Sequence, residues 1–333
     1  MTIHEPSTGT LTMRGTTPLA ALAFAAALAA GHAPAAAQSD ILLQARSGSP
    51  AGDRFRVDSA GGTVALGKLG TGVIPASGTG ERMMWHPFRA AFRAGAAVGT
   101  GWDDGSTGFY SWAGGSGTVA SANYSFAMGN AAVATGTASV ALGDNVLANG
   151  NYAVALGQRA SAGTFSGTFT WADASTASFF SNDAANSFQI RAAGGVKLFT
   201  NSAASTGMSL SAGGSSWNVL SDRTRKRDFT PVDGEDVLAR IRDLPVTTWA
   251  YIDEVASVRH IGPMAQDWHA AFGFSQDETT INMSDLDGVN LAAVQALERR
   301  TADLRAQLAE RDARIRALEA RMARMEALLA ARP

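Results

Sequence analysis

Short apolar runs alternate with glycine through the middle of the chain. Glycine recurs every seven residues at 129, 136, 143, 150 and 157, and a stronger fourteen-residue unit repeats Ser125–Gly129 as Ser139–Gly143 and Ala153–Gly157. A glycine in every heptad would cost a helix about 1 kcal/mol each, so strands joined by glycine turns are favoured over a coiled coil. Two short strands per unit describe one coil of a β-solenoid. Such a coil cannot bury a core by itself and must stack on its neighbours.

The stretch ahead of the repeats, from Gly80 to Gly115, is the most aromatic part of the chain. It is expected to cap the open end of the solenoid and shield an edge strand, and residues 38–96 are expected to form an N-terminal β cap region. A functional alternative is a sugar-stacking surface built from Trp85, Trp102, Tyr110 and Trp112.

Residues 164–220 alternate apolar and polar side chains more loosely. Alternation from Phe188 to Ala192, the Gly194–Gly195 pair and further alternation from Val196 to Leu198 predict a β-hairpin that turns at the glycines. The apolar content is low for a stable sheet in one chain. The sequence therefore favours a stem in which three chains form an intertwined β-prism.

The last segment, residues 291–333, carries a heptad pattern typical of a coiled coil. Val294, Thr301, Leu308, Ile315, Met322 and Leu329 lie seven apart, and Leu297, Leu304, Leu318 and Met325 form the partner column, which Arg311 interrupts. The mixture of Leu, Ile and Met does not fix how many helices form the coiled coil, and the β-repeats favour three. The alternative is a lone amphipathic helix that lies on the preceding domain.

Residues 221–290 differ from both neighbours and predict a compact α+β unit. A helix is expected from about Gly234 to Asp243, just before Pro245. The run "VTTWAYID" predicts a strand, and "RHIGPMAQDWHAAFG" predicts the end of a strand, a glycine turn and a second helix.

Residues 1–37 predict an export signal. An apolar run from Leu19 to Ala30 precedes small residues typical of a cleavage site, and Arg14 supplies the positive flank. Met13 is a better start than Met1, because no Lys or Arg precedes it. A membrane anchor is the alternative, but the run is short for a span of roughly 20 residues. We expect a secreted or surface-exposed chain with no membrane span after signal removal.

Composition and charge narrow the function classes. The net charge of -2 gives no overall positive field, so nucleic acid is not an expected partner. The absence of cysteine excludes disulfides and thiolate chemistry. His260 and His269 have no third ligand at a metal-binding spacing, so neither a metal nor a cofactor is expected.

The fourteen-residue unit resembles the head repeats of trimeric autotransporter adhesins of the YadA type, which also occur in phage tail-fibre-like proteins. The resemblance covers residues 97–163. It implies a left-handed parallel β-roll with three chains side by side.

Three features of residues 221–290 together resemble the C-terminal intramolecular chaperone domain of phage endosialidases and other tail spikes, also present in the myelin regulatory factor. They are Ser221-Asp222 with Lys226 five residues on, the aromatic strand at Trp249–Tyr251, and "HIGPMAQDW" from His260. In that family the domain trimerises, guides folding of the upstream β-structure and then cuts itself off with a Ser–Lys dyad.

Carried over by position, Ser221 is the nucleophile and Lys226 the general base, with Asp222 and His260 as supporting residues. A serine hydroxyl needs a base within hydrogen-bond reach, and a lysine is a base only when its pKa falls through burial or like charges. Arginines alternate around Lys226, and three chains meeting would concentrate these charges. Attack by Ser221 on its own preceding carbonyl passes through a five-membered ring, which favours a cut at Leu220–Ser221. A cut after Ser221 would need the serine of a neighbouring chain.

The sequence therefore predicts a mainly β trimeric fibre with a small α+β chaperone domain and a C-terminal coiled coil. Its chemistry is a single self-cleavage with no turnover of an outside substrate, and its partners are copies of itself and a cell-surface glycan or envelope. One alternative is a structural trimer in which Ser221-Asp222 only caps a helix. The other is a carbohydrate-active enzyme, although the carboxylates available show no persuasive spacing for catalysis: Asp103, Asp104, Asp144 and Asp173.

Overall fold

The computed structural model describes residues 41–47, 52–274 and 277–331. The chain divides into two compact units, Met1–Ile190 and Arg191–Pro333. The predicted export signal, residues 1–37, lies outside the described residues.

The first unit is built of β-strands. In chain order they are β1 (Ile41–Ser47), β2 (Gly52–Asp58), β3 (Thr63–Ala65), β4 (Gly80–His86), β5 (Ala91–Ala97), β6 (Trp112–Ser116), β7 (Val119–Ala120), β8 (Phe126–Asn130), β9 (Val133–Ala134), β10 (Val140–Asp144), β11 (Leu147–Ala148), β12 (Val154–Gln158), β13 (Ala160–Ser161), β14 (Phe169–Ala172), β15 (Phe180–Ser181) and β16 (Phe188–Arg191).

Two sheets run through the repeats. The larger has the order β16-β14-β12-β10-β8-β6-β5-β4 and the smaller β15-β13-β11-β9-β7, while β1, β2 and β3 form a separate antiparallel sheet. Strands of successive repeats pair in parallel, so that Val140 lies between Phe126 and Val154. Each fourteen-residue unit thus contributes one strand to each sheet and stacks in register on the next.

Alanine and glycine set how closely the coils approach. The inward column Ala113, Ala127, Ala141 and Ala155 is fully buried. Gly143 has φ +138, and a Cβ there would lie 1.9 Å from the carbonyl oxygen of Gly157. At Gly136 a Cβ would lie 1.9 Å from the carbonyl oxygen of Gly150. Close backbone contact between coils therefore requires glycine in both series, which explains the seven-residue spacing.

The end of the interior is occupied by a buried arginine. Arg93 is in register with the alanine column and is 0% exposed. Its guanidinium donates to the carbonyl oxygens of Phe92, Ser111 and Ala120 at 2.8–3.1 Å and to the Ser111 hydroxyl at 2.9 Å. Burial lowers the pKa of Arg93 to about 10. Carbonyl oxygens thus replace water around a cation inside the first coil.

The sugar-stacking surface weighed for the aromatic stretch is wrong for Trp102. This side chain is fully buried, and its Nε1 donates to the Thr118 carbonyl oxygen at 2.8 Å. Trp112 is 45% exposed but packs edge-on against Phe92. Tyr110, Trp112 and Trp85 of the proposed set are 48%, 45% and 36% exposed.

The second unit combines a small sheet, a hairpin and helices. Its elements are β17 (Val196–Phe199), β18 (Gly207–Leu210), β19 (Trp217–Val219), α1 (Gly234–Asp243), β20 (Thr247–Trp249), β21 (His260–Gly262), α2 (Ala265–Phe272) and α3 (Met283–Ala330). β17, β18 and β19 form an antiparallel three-stranded sheet, and β20 pairs with β21.

The hairpin predicted at Gly194–Gly195 is wrong. β16 belongs to the large sheet of the repeats, whereas β17 pairs with β18 across the loop of residues 200–206. A turn does form, because the Gly195 N–H donates to the Ala192 carbonyl oxygen at 2.8 Å. Local alternation located the turn but could not tell which strands pair on either side of it.

Residues 221–290 contain α1, α2 and the β20–β21 pair, and α1 has the predicted bounds. The Asp233 carboxylate caps α1 by accepting from the Glu235 N–H at 2.9 Å. α1 packs on the start of α3 around a core that includes Val237, Trp268 and Val289. α3 begins at Met283, capped by Asn282, so it crosses the boundary predicted between residues 290 and 291.

The predicted C-terminal helix is confirmed, and its apolar seam is open in the single chain. Val289, Ala293 and Ala296 are buried, whereas Leu304 and Leu308 are 64% and 60% exposed. Among the described residues, no helix is both long enough and apolar enough to span a bilayer.

Candidate cleavage site

The segment before Ser221 is an ordered strand. β19 pairs with β18, and the Leu220 N–H continues the ladder by donating to the Gly207 carbonyl oxygen at 3.3 Å. Leu220 is therefore the last residue held by the sheet. Ser221 is the first residue beyond it.

A tight turn follows directly. Arg223–Arg225 form one turn of 3₁₀ helix, and the Asp222 carboxylate caps it by accepting from the Thr224 N–H at 2.9 Å and the Thr224 hydroxyl at 2.8 Å. The backbone and hydroxyl bonds from Thr224 hold the pKa of Asp222 below its ordinary value. The capping interpretation of Asp222 is thus correct in geometry, and it is compatible with a catalytic role for its neighbour.

The turn brings the predicted dyad together. The Lys226 Nζ lies 2.8 Å from the Ser221 Oγ, in hydrogen-bond contact. This distance is within the reach that a nucleophile and its base require. The five-residue spacing works because the 3₁₀ turn folds the chain back, with the Lys226 N–H donating to the Arg223 carbonyl oxygen at 3.3 Å.

The arginines around Lys226 diverge. Arg223 lies over the Phe229 ring at 5.3 Å, and Arg227 pairs with Asp228 at 3.3 Å. Arg225 turns towards the small sheet. Ser221, Lys226 and all three arginines are exposed in the single chain. The like charges next to Lys226 in sequence are therefore spread apart within one chain.

His260, the other supporting residue predicted from the sequence, lies elsewhere in the domain. Its Nε2 is 2.9 Å from the Glu254 carboxylate, and its ring contacts Trp249 and Tyr251. Within residues 41–47, 52–274 and 277–331, none of its recorded contacts involves Ser221 or Lys226. His260 is the first residue of the motif "HIGPMAQDW", for which a supporting role was predicted, and its contacts in the structure place it in an aromatic cluster.

The acidic residues weighed for glycan catalysis each serve a local contact. Asp104 accepts from His86 and Arg89 at 2.9–3.0 Å, and the Arg89 bond, followed by the His86 bond, lowers the pKa of Asp104. Asp103 accepts from the Gly78 N–H at 2.6 Å. In the part of the chain that the structure describes, no cluster of His, Asp or Glu is suited to a metal ion.

Two contacts beside the dyad were not foreseen from the sequence. Gly207 supplies the carbonyl that holds Leu220, and the Arg225 Nη1 reaches the Ser205 carbonyl oxygen at 3.5 Å. Gly207 is distinguished by its backbone φ of +156, and this angle cannot be read from the sequence. Thr224 was recognisable in principle, because a threonine two residues after an aspartate is a common capping pattern.

Comparison with known protein families agrees with this architecture. Residues 221–275 match the family described as chaperone of endosialidase, and residues 120–145 and 134–160 match two copies of the YadA head domain repeat. Both resemblances drawn from the sequence are thereby confirmed. No curated protein and no solved structure matches the chain. Two segments of the chain are therefore similar to known families, one to the YadA head repeat and the other to the chaperone of endosialidase.

Proposed function

We propose that this chain is an exported, trimeric tail-fibre or adhesin-like protein whose C-terminal chaperone domain drives trimerisation and folding of the β region. The chaperone domain is then released by self-cleavage at Ser221. The observation that carries the proposal is the 2.8 Å contact between the Ser221 Oγ and the Lys226 Nζ. It lies at the first residues of the matched chaperone segment and directly after a strand.

Exposed apolar faces support assembly into a trimer. On the outward face of the large sheet, Trp112, Leu142, Phe188 and Ile190 are 40–69% exposed. The seam of α3 is equally open, and contiguous apolar surface of this kind marks an interaction site. Three chains would cover both faces as a left-handed β-roll, a β-prism stem and a coiled coil.

The proposed reaction is a peptide cleavage in two stages. Neutral Lys226 takes the proton of the Ser221 hydroxyl as its Oγ attacks the Leu220 carbonyl carbon. The C–N bond of Leu220–Ser221 then breaks, and Lys226 returns the proton to the departing Ser221 nitrogen. This leaves an ester between the Leu220 carbonyl and the Ser221 Oγ. Water then attacks the ester, releasing the Leu220 carboxylate and restoring the Ser221 hydroxyl.

Assembly would supply the activation of the base. A lysine amine accepts a proton only in its neutral form, which burial and nearby positive charge favour. Lys226 is exposed in one chain. Contact between three chains would bury it and bring their arginines together, so that cleavage follows trimer formation.

Intact mass measurement tests the proposal. Wild-type protein is expected to split beside Ser221, and the measured masses distinguish a cut at Leu220–Ser221 from a cut after Ser221. Ser221→Ala and Lys226→Ala are expected to remain whole. Ser215→Ala and Lys68→Ala, exposed residues of the same types, are the matched controls and should split as wild type does.

A structural trimer that never cuts itself is the second candidate. It is favoured by the exposure of Lys226, which leaves the base without burial in one chain. A trimer in which wild type and Ser221→Ala have the same undivided mass would establish this alternative, with Ser221 and Asp222 acting only as turn residues.

The mature β region is proposed to bind a cell-surface glycan or envelope component. The supporting observation is a set of three exposed tyrosines, Tyr110, Tyr124 and Tyr152, separated by 14 and 28 residues, that is, by one and two repeat units. The Tyr110 and Tyr124 rings stack with centroids 5.3 Å apart and planes 7° apart. Stacked aromatic faces are suited to the apolar faces of sugars. Tyr124→Ala is expected to weaken retention on a glycan array, whereas Tyr251→Ala, outside the head, should not change it.

A further inference from the structure

We propose that the hairpin formed by β17, β18 and the loop of residues 200–206, here called the stem hairpin, is a working part of the cleavage site. In this arrangement Ser221 cuts efficiently only when the small sheet has folded. The inference rests on the proposed self-cleavage and adds an element that holds the bond to be cut.

The first contact positions Leu220, whose carbonyl carbon Ser221 attacks in the proposed reaction. The Leu220 N–H donates to the Gly207 carbonyl oxygen, at the position that follows the Met208–Val219 pair in the register of the sheet. The backbone on one side of Ser221 is therefore set by the stem hairpin. Without the sheet, the Leu220 carbonyl would be free to rotate away from the hydroxyl that attacks it.

The second contact fixes the turn that carries the dyad. The Arg225 Nη1 approaches the Ser205 carbonyl oxygen at 3.5 Å, and its Nε lies 3.8 Å from the Asp222 carboxylate. Arg225 thus links the loop of the stem hairpin to the residue that caps the turn. Its role differs from that inferred from the sequence, where it was one of several charges acting on Lys226.

A shallow groove joins the two contacts. Its cavity volume is about 200 Å³, and its lining includes Phe199 and Met208 from the stem hairpin together with Leu220 and Arg225. The Leu220 side chain is 37% exposed, so it rests against the groove without being enclosed. The backbone of Leu220, its side chain and the turn that carries the dyad therefore all contact the stem hairpin.

The chemical consequence follows from orientation. A misplacement of about 1 Å between reacting groups costs up to about a hundredfold in rate. An unfolded stem hairpin removes both contacts at once, although Ser221 and Lys226 remain close in sequence. Cleavage would then be efficient only after the stem hairpin has folded, and Arg225 is a positioning residue for the reaction.

The test is a time course of cleavage in the full chain, unfolded in denaturant and refolded by dilution into buffers from neutral to alkaline pH. Arg225→Gln is expected to lower the maximal rate about tenfold and to leave the midpoint of the pH profile unchanged. Arg225→Lys keeps the charge but has a single nitrogen that cannot serve both partners, so it should restore only part of the rate. Arg242→Gln, an exposed arginine of α1, is the control.

A glycine pair tests the hairpin itself. A Cβ at Gly207 would lie 2.0 Å from the Leu198 carbonyl oxygen, whereas a Cβ at Gly213, in the β18–β19 turn, meets open space. Both residues have positive φ, so the two substitutions share backbone strain and differ in the clash. Gly207→Ala is expected to slow cleavage at least tenfold, and Gly213→Ala to cut at nearly the wild-type rate. Circular dichroism and sedimentation check that each variant folds and assembles.

The outcomes separate the two proposals. If wild type is not cut beside Ser221, self-cleavage fails and this inference fails with it. If wild type is cut and Ser221→Ala is not, equal rates for Arg225→Gln and wild type overturn the positioning role alone. A shifted pH midpoint, fully restored by Arg225→Lys, also overturns it, because that result assigns Arg225 to the electrostatics of Lys226.

Discussion

The head repeats and the C-terminal helix are both periodic, but only the head repeats satisfy their interior within one chain. The repeats bury a column of alanines and pair every coil with the next. The helix leaves its leucine seam in solvent, with Leu304 and Leu308 more than half exposed. A repeating sequence pattern alone therefore does not show whether the apolar core is completed by the same chain or by a partner chain.

Backbone geometry accounts for the difference. In the repeats, parallel strands exchange hydrogen bonds with the preceding and following coils, so stacking in one chain is sufficient for the inward column. A helix has satisfied its backbone internally, and its apolar stripe can be covered only by another element. α1 covers the beginning of α3 and nothing in the described chain covers the rest.

The largest effect on stability is expected from Gly143→Ala, which disrupts the close backbone contact between coils. The new Cβ would meet the Gly157 carbonyl oxygen at 1.9 Å, and φ of +138 adds strain. We expect a loss of about 3 kcal/mol or more in the free energy of unfolding, measured by denaturant titration. Gly105→Ala, where a Cβ meets open space, is the control. An equal stability for both variants would show that close approach does not limit the repeats.

The next effect is expected in α3 and concerns assembly. Leu308→Asp places a charge in the exposed seam and should convert the proposed trimer to monomers in sedimentation equilibrium. Gln307→Asp, its exposed neighbour outside the seam, should leave the assembly unchanged. Trimers from Leu308→Asp would mean that the seam is not what joins the chains.

Gly288→Ala is expected to raise the free energy of unfolding, by a smaller amount than Gly143→Ala lowers it. This glycine lies inside α3, is exposed, and has no atom within 4 Å of an added Cβ. Alanine should therefore stabilise the helix by about 1 kcal/mol. Thermal melting of the helical circular dichroism signal measures the effect. Destabilisation would contradict the open surroundings of this residue, and the contrast with Gly143 separates a helical glycine from one in close contact.

The smallest effect is a pH dependence at the start of the head. The bonds from Arg89 and His86 lower the pKa of Asp104, so its folded value lies below the usual 3.8. The stabilisation is present above that usual value and is lost as the pH falls below it. Asp104 is half exposed, which limits the size of the effect. Asp104→Asn should melt at a lower temperature at neutral pH and show a flatter dependence in acid, with Asp173→Asn as a control of the same type.

Much of the local structure was predictable because it depends on neighbours in sequence. The fourteen-residue unit predicted the register in which Val140 lies between Phe126 and Val154. The helix predicted from about Gly234 to Asp243, just before Pro245, is α1, and the Asp233 carboxylate caps it. The resemblance to the endosialidase chaperone implied a pair of Ser221 and Lys226, and one turn of 3₁₀ helix brings their side chains together.

Contacts between distant segments were not predictable from the same patterns. The glycines at Gly194–Gly195 suggested a hairpin, but β16 joins the large sheet and β17 pairs with β18. The alternative of a sugar-stacking surface required an exposed Trp102, but this side chain is buried and donates to the Thr118 carbonyl oxygen. These outcomes depend on which apolar surfaces meet, a property of the whole fold.

By itself the sequence determined the period of the head repeats and the position of the first helix, because each depends on backbone propensity over a few residues, and its resemblance to a known family named the candidate dyad. Only the tertiary structure decided that Leu220 contacts Gly207, that Arg225 contacts Ser205, and that His260 lies in an aromatic cluster. The physical reason is that a hydrogen bond across a sheet or a turn pairs residues that no sequence spacing marks as neighbours.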